Sequence, residues 1–390
     1  MTLLDLALLL VLIAALAAGL SRGLLATLGG LVGLTLGGLA AFWAVPAIND
    51  MLPTPQWRGL VSIAAAVLLP LFGASLGAGM GRGLRRGVDR TALRPVERFL
   101  GGVANVGVAA LALSFVGNAV TATGTPGVAS AVSSSAFLRT IDDLTPPAVG
   151  RPLAQMRAMV LDDGLPRLNI LLVPRQAPVA PAVDLDNTQL EASAQSVARI
   201  SGIAYACGTS STGSGFVVAP DRLVTNAHVV AGVDRPVVEL PDSPAREGRV
   251  VYFDPVDDLA VIAVEGLAAD PLDIAPTLAV GDPAVVQGYP YGGPFTSTSA
   301  GVLGVSTARV PDAYGGGGAD REVYSLAAVV RPGNSGGPLL TTDGQVAGVI
   351  FARADSEVDI GYAMTDAELR PVAAQAASLD DPVSSGRCAA

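Results

Sequence analysis

Four long apolar runs crowd into the first 120 residues and constrain this chain more than any other feature. They lie at roughly 3–20, 24–44, 59–80 and 99–120, each close to the about 20 residues that a helix needs to cross a bilayer. Backbone in lipid must satisfy its own hydrogen bonds, so four spanning helices are expected. The first run, MTLLDLALLL, lacks a basic leader, carries Asp5 and leads almost directly into the second run. It therefore reads as a retained helix and not as a cleaved signal. Between the third and fourth runs, GRGLRRGVDRTALRPVER holds Arg82, Arg85, Arg86, Arg90, Arg94 and Arg98. Such a loop stays in the cytoplasm. Parity then puts both termini, and everything after residue 120, on the far side. Gly29, Gly33 and Gly37 form a small-residue stripe suited to close helix packing. No span shows the buried charge pair that marks an ion or proton pathway.

Charge divides where hydropathy does. Residues 1–120 carry a net +4 and the remainder −14, and the chain contains no Lys. An acidic globular half lacks the cation density that phosphate neutralisation needs, which excludes nucleic acid as a partner. Residues 121–185 read as a linker ending in the extended tether VPRQAPVAPAVD. The spacing then predicts a short helix from Thr188, with a Thr188–Glu191 capping box and Leu190, Ala194, Val197 and Ile200 on one face. From Cys207 onward, short β-branched runs alternate with Gly, Pro and Asp, as in GSGFVVA, DLAVIAV and QVAGVIFA. That density of strands and turns predicts an all-β sandwich or barrel, with one helix at DAELRPVAAQAASL. The expected organisation is a membrane domain at 1–120, a linker at 121–185 and a β domain at 186–390.

The β domain holds the reactive residues. Ser335 sits in RPGNSGGPLL, and the chain's one histidine, His228, sits in VTNAHVV. A serine hydroxyl becomes nucleophilic only beside a base that a third group orients. Gly333-Asn334-Ser335-Gly336-Gly337 fits the G-x-S-x-G elbow of α/β-hydrolases, but that design needs its histidine after the serine. None follows Ser335, so the elbow is excluded. The order His, Asp, Ser remains open, and DPVDDLAVIAV supplies Asp254, Asp257 and Asp258 between the two. The amides of Gly333, Asn334 and Ser335 are candidates to stabilise an oxyanion, since glycine gives the backbone room to aim them. No cofactor or metal is expected.

The segments TNAHVV, DPVDDLAVI and GNSGGPL resemble the His, Asp and Ser segments of trypsin-like and HtrA-like serine proteases. That resemblance implies a chymotrypsin-like double β-barrel with His228 as base, Asp258 as orienting acid and Ser335 as nucleophile. Asp257 is the alternative acid, on the opposite face of the strand. It also implies a primary pocket lined by Val329, Phe351, Ile360, Gly361 and Tyr362, without an acid and so suited to a small or apolar residue. The whole arrangement resembles the membrane-anchored periplasmic serine proteases of actinobacteria, which join a colicin V production-type membrane domain to a trypsin-like domain. This implies an inner-membrane, multi-pass endopeptidase that acts on envelope proteins or peptides under acid or oxidative stress, with self-cleavage in the tether. It further implies a regulatory Cys207–Cys388 disulfide, with free thiols as the alternative. Such a bridge would close a loop of about 180 residues and contribute at most roughly 5 kcal/mol. Fifty-five residues follow Ser335, too few for the PDZ domain of HtrA relatives. Two rival readings are a barrel that binds peptides without cutting them, and a membrane scaffold or transporter to which the protease is accessory.

Overall fold

A computed structural model describes residues 3–51, 55–122, 135–146, 166–168, 179–204, 209–354 and 359–389, together with Val132 and Val149. The chain divides into two compact units, Met1–Ser114 and Phe115–Ala390.

The first unit is helical: α1 (Leu3–Arg22), α2 (Leu24–Met51), α3 (Pro55–Val88) and α4, which starts at Arg94 and runs on to Ala122. Three helices contain stretches long and apolar enough to span a membrane, at Leu4–Arg22, Leu24–Ala41 and Arg94–Ser114. The remaining expected span falls in α3, many of whose side chains lie outside the described residues. The glycine stripe of α2 has a partner stripe on α3. Gly29 faces Gly77, Gly33 faces Gly73, and Gly37 faces Leu69, so the helices run antiparallel with backbones in contact. A Cβ on Gly29, Gly33, Gly73 or Gly77 would collide with the opposite carbonyl oxygen. In lipid, where apolar burial gives no bias, such close approach is what joins helices.

The structure also buries a charge pair, which the sequence did not reveal. It lies at the ends of α3 and α4, not at mid-span. Arg85 Nε stands 3.4 Å from Glu97 Oε2 and 3.3 Å from Asp89 Oδ2. Its Nη1 donates to the carbonyls of Ser21 and Arg22 at the close of α1. Glu97 in turn accepts from the Leu25 amide in the first turn of α2, where a helix leaves amides unpaired. The carboxylate occupies the space a side chain on Gly23 would fill.

In the second unit a helix, Ala136–Leu144, precedes two seven-stranded sheets. The first contains β2 (Val197–Ala204), β3 (Thr209–Ala219), β4 (Arg222–Thr225), β5 (Val237–Glu239), β6 (Arg246–Glu247), β7 (Arg249–Asp254) and β8 (Leu259–Ala263). Their order is β6-β5-β2-β3-β4-β8-β7. The second contains β9 (Pro283–Gly288), β10 (Thr296–Val310), β11 (Ala319–Ala327), β12 (Pro338–Leu340), β13 (Val346–Ala354) and β14 (Ile360–Thr365). Its order begins with β1 (Arg167–Leu168) and continues β13-β12-β9-β10-β11-β14, and β14 pairs back onto β13. That last pairing closes six strands into a ring.

Packing explains the arrangement. One apolar cluster, with Ile200, Val217, Leu223 and Ile262, fills the first sheet, and another, with Val286, Leu326, Leu339 and Ile350, fills the second. A third draws Phe216, Val261, Val285, Phe351, Tyr362 and Met364 from both sheets, with Leu369 and Val372 of the closing helix Asp366–Ala376. The sheets therefore meet across a dry seam. The chain then returns to the first sheet, where Arg222 Nε donates to the Leu379 carbonyl at 2.8 Å and the Val383 amide to the Val250 carbonyl at 2.8 Å.

The short helix expected from Thr188 spans Thr188–Ala194, but its cap is Asn187, whose side chain accepts from the Leu190 amide at 2.8 Å. Val197 and Ile200 are not on its face; they begin β2. The side-chain oxygen one residue earlier reaches the orphan donor, and β-branched residues favour the strand.

The glycine contacts give a direct test. Gly77→Leu is expected to destabilise the helical unit by about 1–3 kcal/mol through overpacking. Gly38→Leu, at a position with nothing within 4 Å of an added Cβ, leaves it unchanged. Thermal denaturation of the full chain in detergent compares the two.

Candidate active site

His228 belongs to a single helical turn, Ala227–Val230, that follows β4 directly and is buried throughout. Its imidazole Nδ1 lies 2.8 Å from Asp258 Oδ2 and 3.0 Å from Oδ1, and its backbone amide donates to Oδ1 at 2.9 Å. A carboxylate that accepts from both the ring and the main chain of one residue fixes the ring's tilt as well as its tautomer. Asp258 is reached through a tight turn in which Asp254 Oδ1 accepts from the amides of Val256 and Asp257. The turn leaves Asp258 at φ 55°, in the left-handed region, immediately before β8.

Asp257 points elsewhere. Its carboxyl is pushed up mainly by burial and then by the Asp254 charge, with Arg321 opposing. Of the two, only Asp258 bonds His228, its left-handed backbone turning its carboxylate to the ring.

Ser335 lies in the turn between β11 and β12, and several bonds hold that turn rigid. Asn334 closes it locally, its amide donating to the Arg331 carbonyl at 3.0 Å and its Oδ1 accepting from the Arg331 amide at 2.9 Å. Gly336 donates to the Ile350 carbonyl at 2.8 Å. Gly333 and Gly336 take φ of 91° and 79°. A Cβ at Gly336 would strike Thr225 Oγ1 and the Ser214 carbonyl, so no other residue fits there.

Ser214, between two glycines in β3, is the residue that sequence reasoning missed. Its amide donates to the Ser335 carbonyl at 2.8 Å. Its hydroxyl donates to the Gly333 carbonyl at 2.7 Å and accepts from the Tyr289 amide at 2.9 Å. Its own carbonyl accepts from Thr225 Oγ1 at 2.7 Å. The signal that could have found it is GSG, a small polar residue where two backbones approach. On its other flank, the space beside Gly213 is shared by the Val229 side chain and the Ser335 carbonyl. Strand β3 is thus the common floor under the histidine turn and the serine turn.

Two reactive polar atoms are left over, as is Asn226 Oδ1. His228 Nε2 and Ser335 Oγ are both buried, and neither has a hydrogen-bond partner among the described residues.

The three amides expected to hold an oxyanion are not equivalent. That of Asn334 is committed to Arg331, whereas those of Gly333 and Ser335 donate to no acceptor among the described residues. The expected pocket also changes. Phe351 and Tyr362 do not line a cleft; each is 1% exposed within the seam core, and Phe351 lies under the Arg321 guanidinium at 5.4 Å. A bulge between Ile350 and Ala352 resets the alternation of β13 there. Ile360 is buried in the same core, Val329 is 39% exposed, and Gly361 packs against Val330. Cys207 lies outside the described residues.

Comparison with known proteins agrees with this geometry. A trypsin-like peptidase domain model matches residues 213–349, and a colicin V production protein model matches residues 4–146. The chain is 37% identical over 272 residues to the serine protease Rv3671c of Mycobacterium tuberculosis H37Rv, covering 67% of each protein. It is 38% identical over 159 residues to the putative serine protease HhoA of Synechocystis, covering 39% of each. The crystal structure of the Rv3671c protease in its active form superposes with a TM-score of 0.51 at 38% identity, covering 57% of this chain and all of that one. A colicin V production-type region joined to a trypsin-like peptidase domain makes this chain a serine endopeptidase, and it belongs to the family of the mycobacterial protease Rv3671c.

Proposed function

We propose that this serine endopeptidase works through a triad of Ser335, His228 and Asp258, held on two β-barrels and anchored by four membrane spans. The observation that carries the proposal is the state of the site's polar atoms. Asp258 occupies His228 Nδ1, while Nε2 and Ser335 Oγ, carried on turns that both rest against β3, are buried without a hydrogen-bond partner among the described residues. A buried polar atom left unpaired costs about 1–3 kcal/mol, and a site retains such atoms where a substrate completes them.

In the mechanism, Asp258 holds the Nδ1–H tautomer and leaves Nε2 as the base. Ser335 Oγ attacks the peptide carbonyl as its proton passes to Nε2. Charge develops on the carbonyl oxygen, and the uncommitted amides of Gly333 and Ser335 receive it. The imidazolium then protonates the leaving amine, the acyl-enzyme forms, and water repeats the sequence in reverse. Ser214 aims the hole by gripping the carbonyls of Gly333 and Ser335 from below.

The domain boundaries proposed are 1–120, 121–185 and 186–390. The arginine-rich loop supports a cytoplasmic face between α3 and α4, which puts the protease across the inner membrane, in the periplasm. Its substrates there are envelope proteins or peptides, in an acid or oxidative stress response. Val329, 39% exposed, and the lack of an acid in the stretch 324–330 suit a small or apolar residue on the acyl side of the cut. A Cys207–Cys388 bridge completes the proposal. Cys388 Sγ crowds Gly232, as does Ala204, the last described residue before Cys207, and no described cysteine is free.

Three outcomes test this reading. Ser335→Ala abolishes peptide cleavage and fluorophosphonate labelling while circular dichroism remains that of the folded chain. Ser214→Ala keeps the triad yet lowers kcat by up to about 10²-fold through a misaimed hole, with KM little changed. Cys388→Ser lowers the unfolding free energy by roughly 2–5 kcal/mol, and dithiothreitol produces the same loss in the parent but none in the variant.

A further inference from the structure

Arg321, on β11, is among the bulkiest fully buried side chains of the described residues and is 1% exposed. Its guanidinium bonds no carboxylate among the described residues. Nη1 donates to the Asp257 carbonyl at 3.0 Å and Nη2 to the Pro311 carbonyl at 2.6 Å. Nη1 also lies 3.7 Å from Met364 Sδ, the group stacks on the Phe351 ring, and Nε has no acceptor. Removing a cation from water costs several kcal/mol unless it is well paired, so packing alone would favour an apolar residue here. Stability therefore does not account for its presence.

Its contacts suggest what does. Asp258 is one of four described non-glycine residues with positive φ, a conformation held only when its surroundings impose it. The peptide after Asp258 is fixed by Asn226 Nδ2, which donates to the Asp258 carbonyl at 2.9 Å. The peptide before it is fixed by Arg321, reaching across from the opposite sheet.

We propose that Arg321 is a positioning residue for catalysis: it clamps the Asp257–Asp258 peptide and so holds the strained turn that presents the Asp258 carboxylate to His228. The clamp crosses the seam between the sheets, which makes the acid's placement depend on their docking. Burial lowers the basicity of Arg321, while the charges of Asp258, Asp257, Glu368 and Asp254 oppose that shift, Asp258 most strongly. This inference rests on the triad reading above.

The test uses the full chain in detergent, with kcat and KM measured on a peptide substrate for Arg321→Met, Arg321→Lys, Asp258→Asn and the Arg321→Met/Asp258→Asn double variant. Asp258→Asn is expected to lower kcat about 10⁴-fold. Arg321→Met is expected to lower kcat by about 10²-fold with KM unchanged, and the double variant to equal Asp258→Asn alone. Arg321→Lys, which keeps the charge but reaches one carbonyl, falls between parent and Met variant, and it carries the test if the Met variant does not fold. Parental kcat in either Arg321 variant overturns the inference, as does a double variant in which the two losses multiply. Parental kcat in Asp258→Asn overturns the triad reading, and this inference with it.

Discussion

The bond from the Ser214 amide to the Ser335 carbonyl, 2.8 Å long, joins the two halves of the catalytic unit. Ser214 belongs to the first sheet and Ser335 to a turn of the second. Nothing local to either segment requires the other. Once that bond forms, the hydroxyl of Ser214 is set against the Gly333 carbonyl and its carbonyl against Thr225, two residues before the histidine turn. One backbone contact thereby registers both reactive turns. The neighbouring glycines exist because that contact leaves no room for a Cβ.

The seam is dry, and this decides how the site behaves. His228, Asp258 and Ser335 are 7%, 3% and 2% exposed. In such surroundings a fixed dipole or charge acts more strongly than in water. The same dryness makes each unpaired polar atom costly, so the apolar clusters on both sides must offset the penalty. The membrane unit solves a different problem in the opposite way. There, surrounding lipid gives apolar side chains no reason to associate, and glycine contacts replace side-chain burial as the glue between α2 and α3.

Much of this was legible in the sequence, for reasons that differ by element. Hydropathy located the apolar helices because a spanning segment must be long and continuous. The order of His228 and Ser335 excluded one hydrolase design, and the resemblance of DPVDDLAVI to the acid segment of serine proteases singled out Asp258, the acid that the geometry brings to the imidazole. What stayed hidden depends on contacts far apart in the chain. The pocket assignment of Phe351 came from the family resemblance alone, and the seam core that takes its side chain, at a bulge in β13, is built from distant segments. Asn334 looked like an oxyanion donor until its amide was found committed to Arg331. Arg321 reads as an ordinary charged strand residue, since no local pattern foretells a guanidinium buried across a sheet interface. The partner stripe of Gly73 and Gly77 went unread because only its match in α2 gives it meaning.

The left-handed backbone at Asp258 has a further consequence for how this enzyme tolerates change. Glycine and asparagine adopt that geometry as readily as aspartate or more so. Selection for heat resistance alone would therefore find both replacements acceptable at this position. Each deletes the one carboxylate that steadies the imidazole. Under the proposed triad, improvement of this turn and retention of turnover pull in opposite directions, so thermally hardened descendants of this chain would drift toward folded but inert forms unless activity is screened at the same time.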